Sequence, residues 1–364
     1  MANVSTTPSN ATVPPADCSV YPTAEKIGKT FAYCVIIVVS LTGNFLIGAI
    51  VIGIKSMRRT INYLILNMAM SDLILPVFAF PRLLTELYVG YWLIDGDFGL
   101  ALCKLAYFMQ DVSTAVSIQS LVLIAVDRFG AVVFPFRPPV VSARLCPFFI
   151  LATWIVAMAI HTPYFFVRKL EGSGENLACR RMWKEAFGES SSLESYYVAL
   201  FLVLALIPFA LMTVLYSIII VKLRAQKIPG GESVSSKEQE KRMKRDRSVL
   251  KMVLAIVLGF ALCWAPLNVL AFLQFFVWEE NPKLSCGFLH FSFFAIFMAY
   301  ANCAINPCIC FIFSGNYREG LKSLFGCCPG KCNCSCFRLL RWQSWNVQSM
   351  SSDEQRDVTL ASLA

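Results

Sequence analysis

Seven long apolar runs, separated by short polar connections, constrain this chain more than any other feature. They cover residues 31 to 54, 61 to 81, 101 to 126, 145 to 167, 196 to 221, 252 to 278 and 286 to 313. Each has the roughly 20 residues that an α-helix needs to cross a bilayer core. The 364 residues are 57% hydrophobic and only 15% charged, which excludes a soluble protein of this length. The expected fold is all-α, a seven-transmembrane helix bundle over residues 31–313. It is preceded by an extracellular segment, 1–30, and followed by a short amphipathic eighth helix, 314–326, and a Cys-rich cytoplasmic tail, 327–364.

An odd number of spans puts the two termini on opposite sides of the membrane, and charge decides which is which. The N-terminal segment and the even-numbered connections together hold nine Lys/Arg against twelve Asp/Glu, whereas the other face carries twenty-two Lys/Arg. The N-terminus is therefore expected outside and the C-terminus in the cytoplasm. The net charge of +9 is mostly this orientation signal. Its basic residues flank spans and form no separate domain, so nucleic acid is not an expected partner. The sequons at Asn3 and Asn10 fall on the outer side, as N-glycosylation requires. No short signal segment precedes the first span, which is expected to target the chain.

Compartment also sorts the cysteines. Cys103, at the start of span three, and Cys179, midway along the longest outer loop, both face the oxidising side and can join loop to helix end. Cys18 and Cys286 are a possible second outer pair. The cytoplasmic run containing Cys327 and Cys328 follows an amphipathic segment, where palmitoylation is the expected modification. A metal site is the alternative for that run, although no histidine accompanies it.

Polar residues inside spans are expensive and mark bundle interiors. Asn44, Asp72, Ser117, Asn302 and Asn306 lie in spans one, two, three and seven at corresponding depths. A carboxylate among hydroxyls and amides suits a small hard cation such as sodium, or a protonatable carboxyl. A satisfied packing network without an ion is the alternative. Pro163, Pro208, Pro266 and Pro307 each remove a helical hydrogen bond and bend a span. Phe260 and Trp264 stand one turn apart beside Pro266.

The whole pattern resembles the rhodopsin-like family of G-protein-coupled receptors. The match rests on Gly43-Asn44, on "LNMAMSDL" with Asp72, and on Cys103 placed 25 residues before Arg128 in "AVDRF". Trp154, Pro208, Tyr216, "FALCWAP" (Phe260 to Pro266) and "NCAINP" (Asn302 to Pro307) continue it through the remaining spans. The resemblance implies a receptor without enzymatic activity that switches heterotrimeric G proteins at the plasma membrane. It also implies arrestin and receptor kinases as further partners. It needs no cofactor, and Asp72 with Ser117 would hold sodium as an allosteric modulator. Asp127 would restrain Arg128 at rest, Asp246 would bridge span six to Arg128, and Tyr216 would move toward it on activation. Phe129 and Cys310 depart from the family, which commonly has tyrosine at both positions. A cysteine at 310 reaches less far and donates more weakly than tyrosine.

For the ligand, position 110 is glutamine where the family's amine receptors carry aspartate, so an amine is disfavoured. Span seven has no lysine for a retinal Schiff base. "MQDVSTAVS" is similar to neuropeptide receptors of the neuropeptide Y, RFamide and orexin branches, which implies an amidated peptide ligand. Gln110 can both donate to and accept from a carboxamide. Arg82, Glu86, Asp111, Trp264, Asn268, Gln274 and Tyr300 complete the candidate pocket, with Glu86 or Asp111 as counter-ion to a basic peptide residue. The long outer loop is expected to form a hairpin lid, and the helix after span seven is expected to turn Tyr317 toward lipid. The alternatives are a rhodopsin-like receptor for a lipid or other small molecule, a weakly coupling decoy, and a transporter or channel. The last lacks repeated halves and a titratable chain.

Overall fold

The computed structural model describes residues 22–225, 234–277 and 286–325. Among them are seven helices long and apolar enough to cross a membrane. Helix α1 spans Thr23–Gly53. The second span is in two pieces, α2 (Thr60–Asp72) and α3 (Ile74–Tyr88), parted at Leu73. Pro76 explains the break, because its ring crowds the carbonyl of Asp72 four residues back and offers it no N–H. A single apolar run from 61 to 81 does not announce that interruption.

The third span, α4 (Gly96–Val133), is the central helix, packed on α2, α3, α5 (Cys146–His161) and the fifth span. Pro163 ends α5, and a short turn, α6 (Tyr164–Val167), leads into an antiparallel hairpin of β1 (Arg168–Glu171) and β2 (Ala178–Arg181). Cys179 is bonded to Cys103, which fastens β2 to α4. The connection between the strands needs glycine at 172, where φ is +89° and a Cβ would stand 2.3 Å from the Asn176 carbonyl oxygen.

A short helix, α7 (Trp183–Phe187), precedes the fifth span, which comprises α8 (Leu193–Phe201), a π-helical turn (Leu202–Leu206) and α9 (Ile207–Ala225). Pro208 crowds the carbonyl of Leu204 inside that turn, so the bend appears as a widened turn just upstream of the proline. The sixth span, α10 (Val234–Phe272), contains Pro266 and also ends in a π-helical turn, Leu273–Val277. The seventh, α11 (Cys286–Phe313), contains Pro307. Helix α12 follows at Gly315–Leu324.

Inward and outward faces divide as a lipid solvent demands. Phe31, Phe45, Phe148, Leu151 and Leu262 are exposed, while Asn44, Asp72, Ser117 and Asn306 are buried. Two glycines let helices close up. A Cβ on Gly43 would lie 2.7 Å from the Pro307 ring, and one on Gly259 would meet Ile309 at 3.2 Å, so α1 and α10 both approach α11 closely. Tyr317 corrects the expectation of a lipid-facing residue. It is buried, its hydroxyl lies 3.4 Å from Asn62 Oδ1, and its ring stands edge-on to Phe311. A tyrosine hydroxyl finds a better partner in that amide than in hydrocarbon.

The described residues fall into two units that divide after Arg318; of the second, 319–325 are described and are helical to Leu324. Asn3, Asn10, Cys18, Cys327 and Cys328 lie outside the described residues, as does the side chain of Cys286.

Candidate functional site

The buried polar residues meet at mid-bundle. Asp72 accepts from Asn306 Nδ2 at 2.9 Å and from Ser117 Oγ at 3.4 Å, which links α2, α11 and α4. Ser117 also lies 2.9 Å from the Ser71 hydroxyl, and Ser113 donates to the Ser71 carbonyl. Asn44 ties α1 to α11 by donating to the Cys303 carbonyl at 2.9 Å. Asn302 is buried on the same stretch of α11. The Oδ1 atoms of Asn44, Asn302 and Asn306 find no hydrogen-bond donor among the described residues. The Asp72 carboxylate thus sits between the Ser117 hydroxyl and the Asn306 amide, oxygen and amide groups of the kind a small hard cation and its waters accept. A neighbouring group joins three helices through Asn67, a residue of the "LNMAMSDL" stretch. Its Nδ2 donates to Ser120 and Thr153, and its Oδ1 accepts from Trp154 Nε1 at 2.8 Å.

At the inner end, Asp127 is buried and holds the Arg128 guanidinium through two hydrogen bonds, that from Nε at 3.0 Å. Asp246 does not bridge to Arg128 among the described residues, and its expected role is not met in this conformation. The guanidinium is already answered by the adjacent carboxylate, and α4 and α10 make only limited contact. Tyr216 is buried with its hydroxyl unpartnered. Phe260 and Trp264 stack with ring centroids 5.8 Å apart beside Pro266, and Cys310 is fully buried.

Toward the outer end, the described residues line two cavities that share Trp264 and Thr114. The smaller, of about 250 Å3, lies between α3, α4, α10 and α11 and contains Arg82, Glu86, Tyr107, Gln110 and Tyr300. Arg82 is its hub. The guanidinium donates to Glu86 at 2.7 Å, to Tyr300 at 3.1 Å, and to Gln110 Oε1 and Tyr107 at 3.3 Å each. Tyr300 also donates to Gln110 Oε1. The glutamine acceptor is thus engaged within the protein, while its Nε2 reaches only Asp111, at 3.5 Å.

The larger cavity, of about 700 Å3, is walled mostly by apolar and aromatic side chains of α4, the fifth span and α10. Its polar features are few: Asp111, Thr114, His161, Tyr197 and Asn268 stand on its wall. Asp111 accepts from the Tyr164 hydroxyl, and no cation pairs with it among the described residues. Gln274 lines neither cavity and is exposed. Six residues beyond Asn268, it falls about 120° away around a helix.

Tyr107, Tyr164 and Arg168 were not singled out from the sequence. They become visible only through stacking: the Arg82 guanidinium lies 4.4 Å from the Tyr107 ring centroid, and that of Arg168 lies 3.4 Å from it.

Residues 43–309 match the model of the family described as 7 transmembrane receptor (rhodopsin family). The chain is 31% identical to the RYamide receptor of Drosophila melanogaster over 327 residues, 86% of this chain and 66% of that protein. It is 30% identical to neuropeptide FF receptor 2 of Mus musculus over 82% of this chain and 73% of the relative. With the substance-P receptor of Rattus norvegicus it shares 27% identity over 85% of this chain and 74% of the relative. A family match across most of the seven spans, together with polar side chains that gather inside them, makes this chain a multi-pass membrane protein of the rhodopsin family of seven-transmembrane receptors.

Proposed function

We propose that the protein is a plasma-membrane receptor for an extracellular neuropeptide, which it answers by activating a heterotrimeric G protein. The observation that carries this reading is the arrangement around Trp264. A polar cluster of Arg82, Gln110 and Tyr300 sits at the outer mouth, Trp264 lines both cavities beneath it, and Phe260 stacks below that. A ligand that pulls Arg82 or Tyr300 from Gln110 changes what bears on Trp264 and, through Pro266, on the inner half of α10. The named relatives are neuropeptide receptors, which supports a peptide ligand, and a carboxamide has the donors and acceptor to exchange with this cluster.

In this reading the N-terminus is outside and glycosylated at Asn3 and Asn10, the tail is cytoplasmic with palmitate on Cys327 or Cys328, and phosphorylation of the tail recruits arrestin. Release of Arg128 from Asp127 exposes it to the G protein. Asp72 and Ser117, with the unanswered amide oxygens of Asn44, Asn302 and Asn306, are the groups that would hold sodium, and a single carboxylate suits a monovalent ion. The ion would supply positive charge that favours the resting arrangement.

A library of amidated peptides, screened in cells with a promiscuous G-protein reporter, tests the proposal. An agonist whose potency falls at least about tenfold in Gln110→Ala, the loss of a good polar contact, is the expected result. Activity in a lipid library alone would replace it with the second reading, a lipid or small-molecule receptor. That reading draws on the large apolar cavity, whose rim residues Phe201, Leu206 and Phe272 are exposed within spans five and six.

A further inference from the structure

The two faces of the outer hairpin are charged alike but balanced differently. In the antiparallel register Lys169 lies opposite Arg180, and Arg168 lies opposite Arg181. Side chains alternate along a strand, so Lys169, Glu171 and Arg180 share one face. Each cation there has an acid: Lys169 pairs with Glu185, and Arg180 with Glu171 at 3.3 Å. The other face carries Arg168, Leu170, Cys179 and Arg181, and the Cys103–Cys179 bond turns it toward α4. Neither arginine on this face has a carboxylate partner among the described residues.

Like charges directly opposite on a ladder repel. Arg168 bears this while only 9% exposed, and its Nε has no hydrogen-bond partner among the described residues. Its contacts are ring faces, with Tyr107 at 3.4 Å and Tyr164 at 5.9 Å from centroid to guanidinium. Burial lowers the Arg168 pKa and Arg181 adds to this, against the opposing influence of Tyr107 and Tyr164. Arg181 is exposed and donates to the Tyr197 hydroxyl. Of the nearby acids, Glu86 is engaged with Arg82 and Tyr107 and Asp111 with Tyr164, while the exposed Glu194 accepts from Ser192 and lies within electrostatic reach of Arg181 without an ion pair to it.

We infer that the inner face of this hairpin is an anion site, in which Arg168 and Arg181 take a carboxylate of the ligand from two sides. Planar guanidinium groups present paired donors to such an oxyanion, and two of them answer its charge in excess. Arg82, whose guanidinium also lies over the Tyr107 ring, adds to the same positive field. The inference rests on the peptide reading in one respect, that the carboxylate is an Asp or Glu side chain of the peptide. The amide-binding cluster at Gln110 then reads one end of the ligand, and the hairpin reads an acidic residue along it.

The test has one arm that needs no agonist. Full-length receptor, purified in detergent, is melted with sodium glutarate and with neutral glutaramide, sodium and ionic strength being matched with sodium chloride. Glutarate is expected to raise Tm by about 2 °C or more over glutaramide, and Arg168→Gln or Arg181→Gln is expected to abolish the difference. Arg181 is exposed, so its variant serves if Arg168→Gln does not purify. The second arm compares each active amidated peptide with Glu or Gln at every position. At one position Glu is expected to be about tenfold more potent, a preference lost in Arg181→Gln. No glutarate-specific rise in the wild type, or one that persists in both variants, overturns the anion site. A rise that the variants remove, with no active peptide in the library, upholds the site and overturns the peptide reading instead.

Discussion

Replacing Gly43 by alanine tests the contact between α1 and α11. The added Cβ would stand 2.7 Å from both Cβ and Cγ of Pro307, whereas carbon atoms rest at about 3.5 to 4.0 Å. One helix must therefore yield by roughly 1 Å. Pro307 cannot rotate away, because its ring is fixed to the backbone of α11. Overpacking of this kind costs about 1 to 3 kcal/mol. Gly48→Ala is the matched control on the same helix. Its Cβ would meet only Leu66 Cδ1, the flexible end of a side chain, at an ordinary 3.6 Å. Both variants gain the same alanine helix propensity, about 1 kcal/mol, so the difference between them isolates the clash. Tm of Gly43→Ala is expected about 2 to 8 °C below that of Gly48→Ala. A thiol-reactive dye can report the melting, since Cys146, Cys263, Cys303 and Cys310 are buried and unpaired. Equal melting temperatures, or a higher one for Gly43→Ala, would refute the close packing of α1 on Pro307.

Three further substitutions probe the interior. Trp154→Phe removes the 2.8 Å hydrogen bond to Asn67 and leaves a buried oxygen unanswered; a stability loss of about 1 to 3 kcal/mol, read by the same melting assay, is expected. In Asp72→Asn the carboxylate is gone while a polar group remains for Asn306 and Ser117. Agonist binding should then be equal in sodium and choline buffers, in contrast to a wild type weakened by sodium, and a sodium effect that survives the substitution would remove Asp72 from the ion site. Cys310→Tyr introduces a large ring where the cysteine is fully buried. Overpacking disfavours this conformation, so basal nucleotide exchange on G protein should change relative to wild type at matched surface expression, and superimposable dose-response curves would show the departure to be silent.

What the sequence discloses here depends on how local the cause is. Hydropathy is a sum over neighbours, so all seven spans could be read directly, and intramembrane cost marks Asp72, Asn44 and Asn306 as interior residues whatever their partners. Pro163 and Pro208 announce bends because the missing N–H is a property of one residue. The break at Leu73 also follows from a proline, Pro76, but lies upstream of it and inside an uninterrupted apolar run. Partnership is harder. Whether Arg128 meets Asp127 or Asp246 depends on how far α10 stands from α4, and no spacing in the sequence encodes that distance. Tyr317 was assigned to the wrong side because amphipathicity gives the direction of a face, not the identity of what lies against it; Asn62 is 255 residues away. The arginines of the hairpin passed unnoticed for a similar reason. In sequence they belong to a loop of mixed charge, and only the strand register separates the balanced face from the unbalanced one.

Trp264 forms part of the wall of both outer cavities. A partition held in common cannot serve two chambers independently: room gained on one side as the indole moves is room lost on the other. If an occupant of one chamber displaces the indole toward the other, the two chambers are thermodynamically linked across the wall that Trp264 and Thr114 form, and each occupant then alters the affinity for the other by the same factor. This receptor consequently carries the hardware of a balance, with one beam and two pans, in the half of the molecule that faces its ligands.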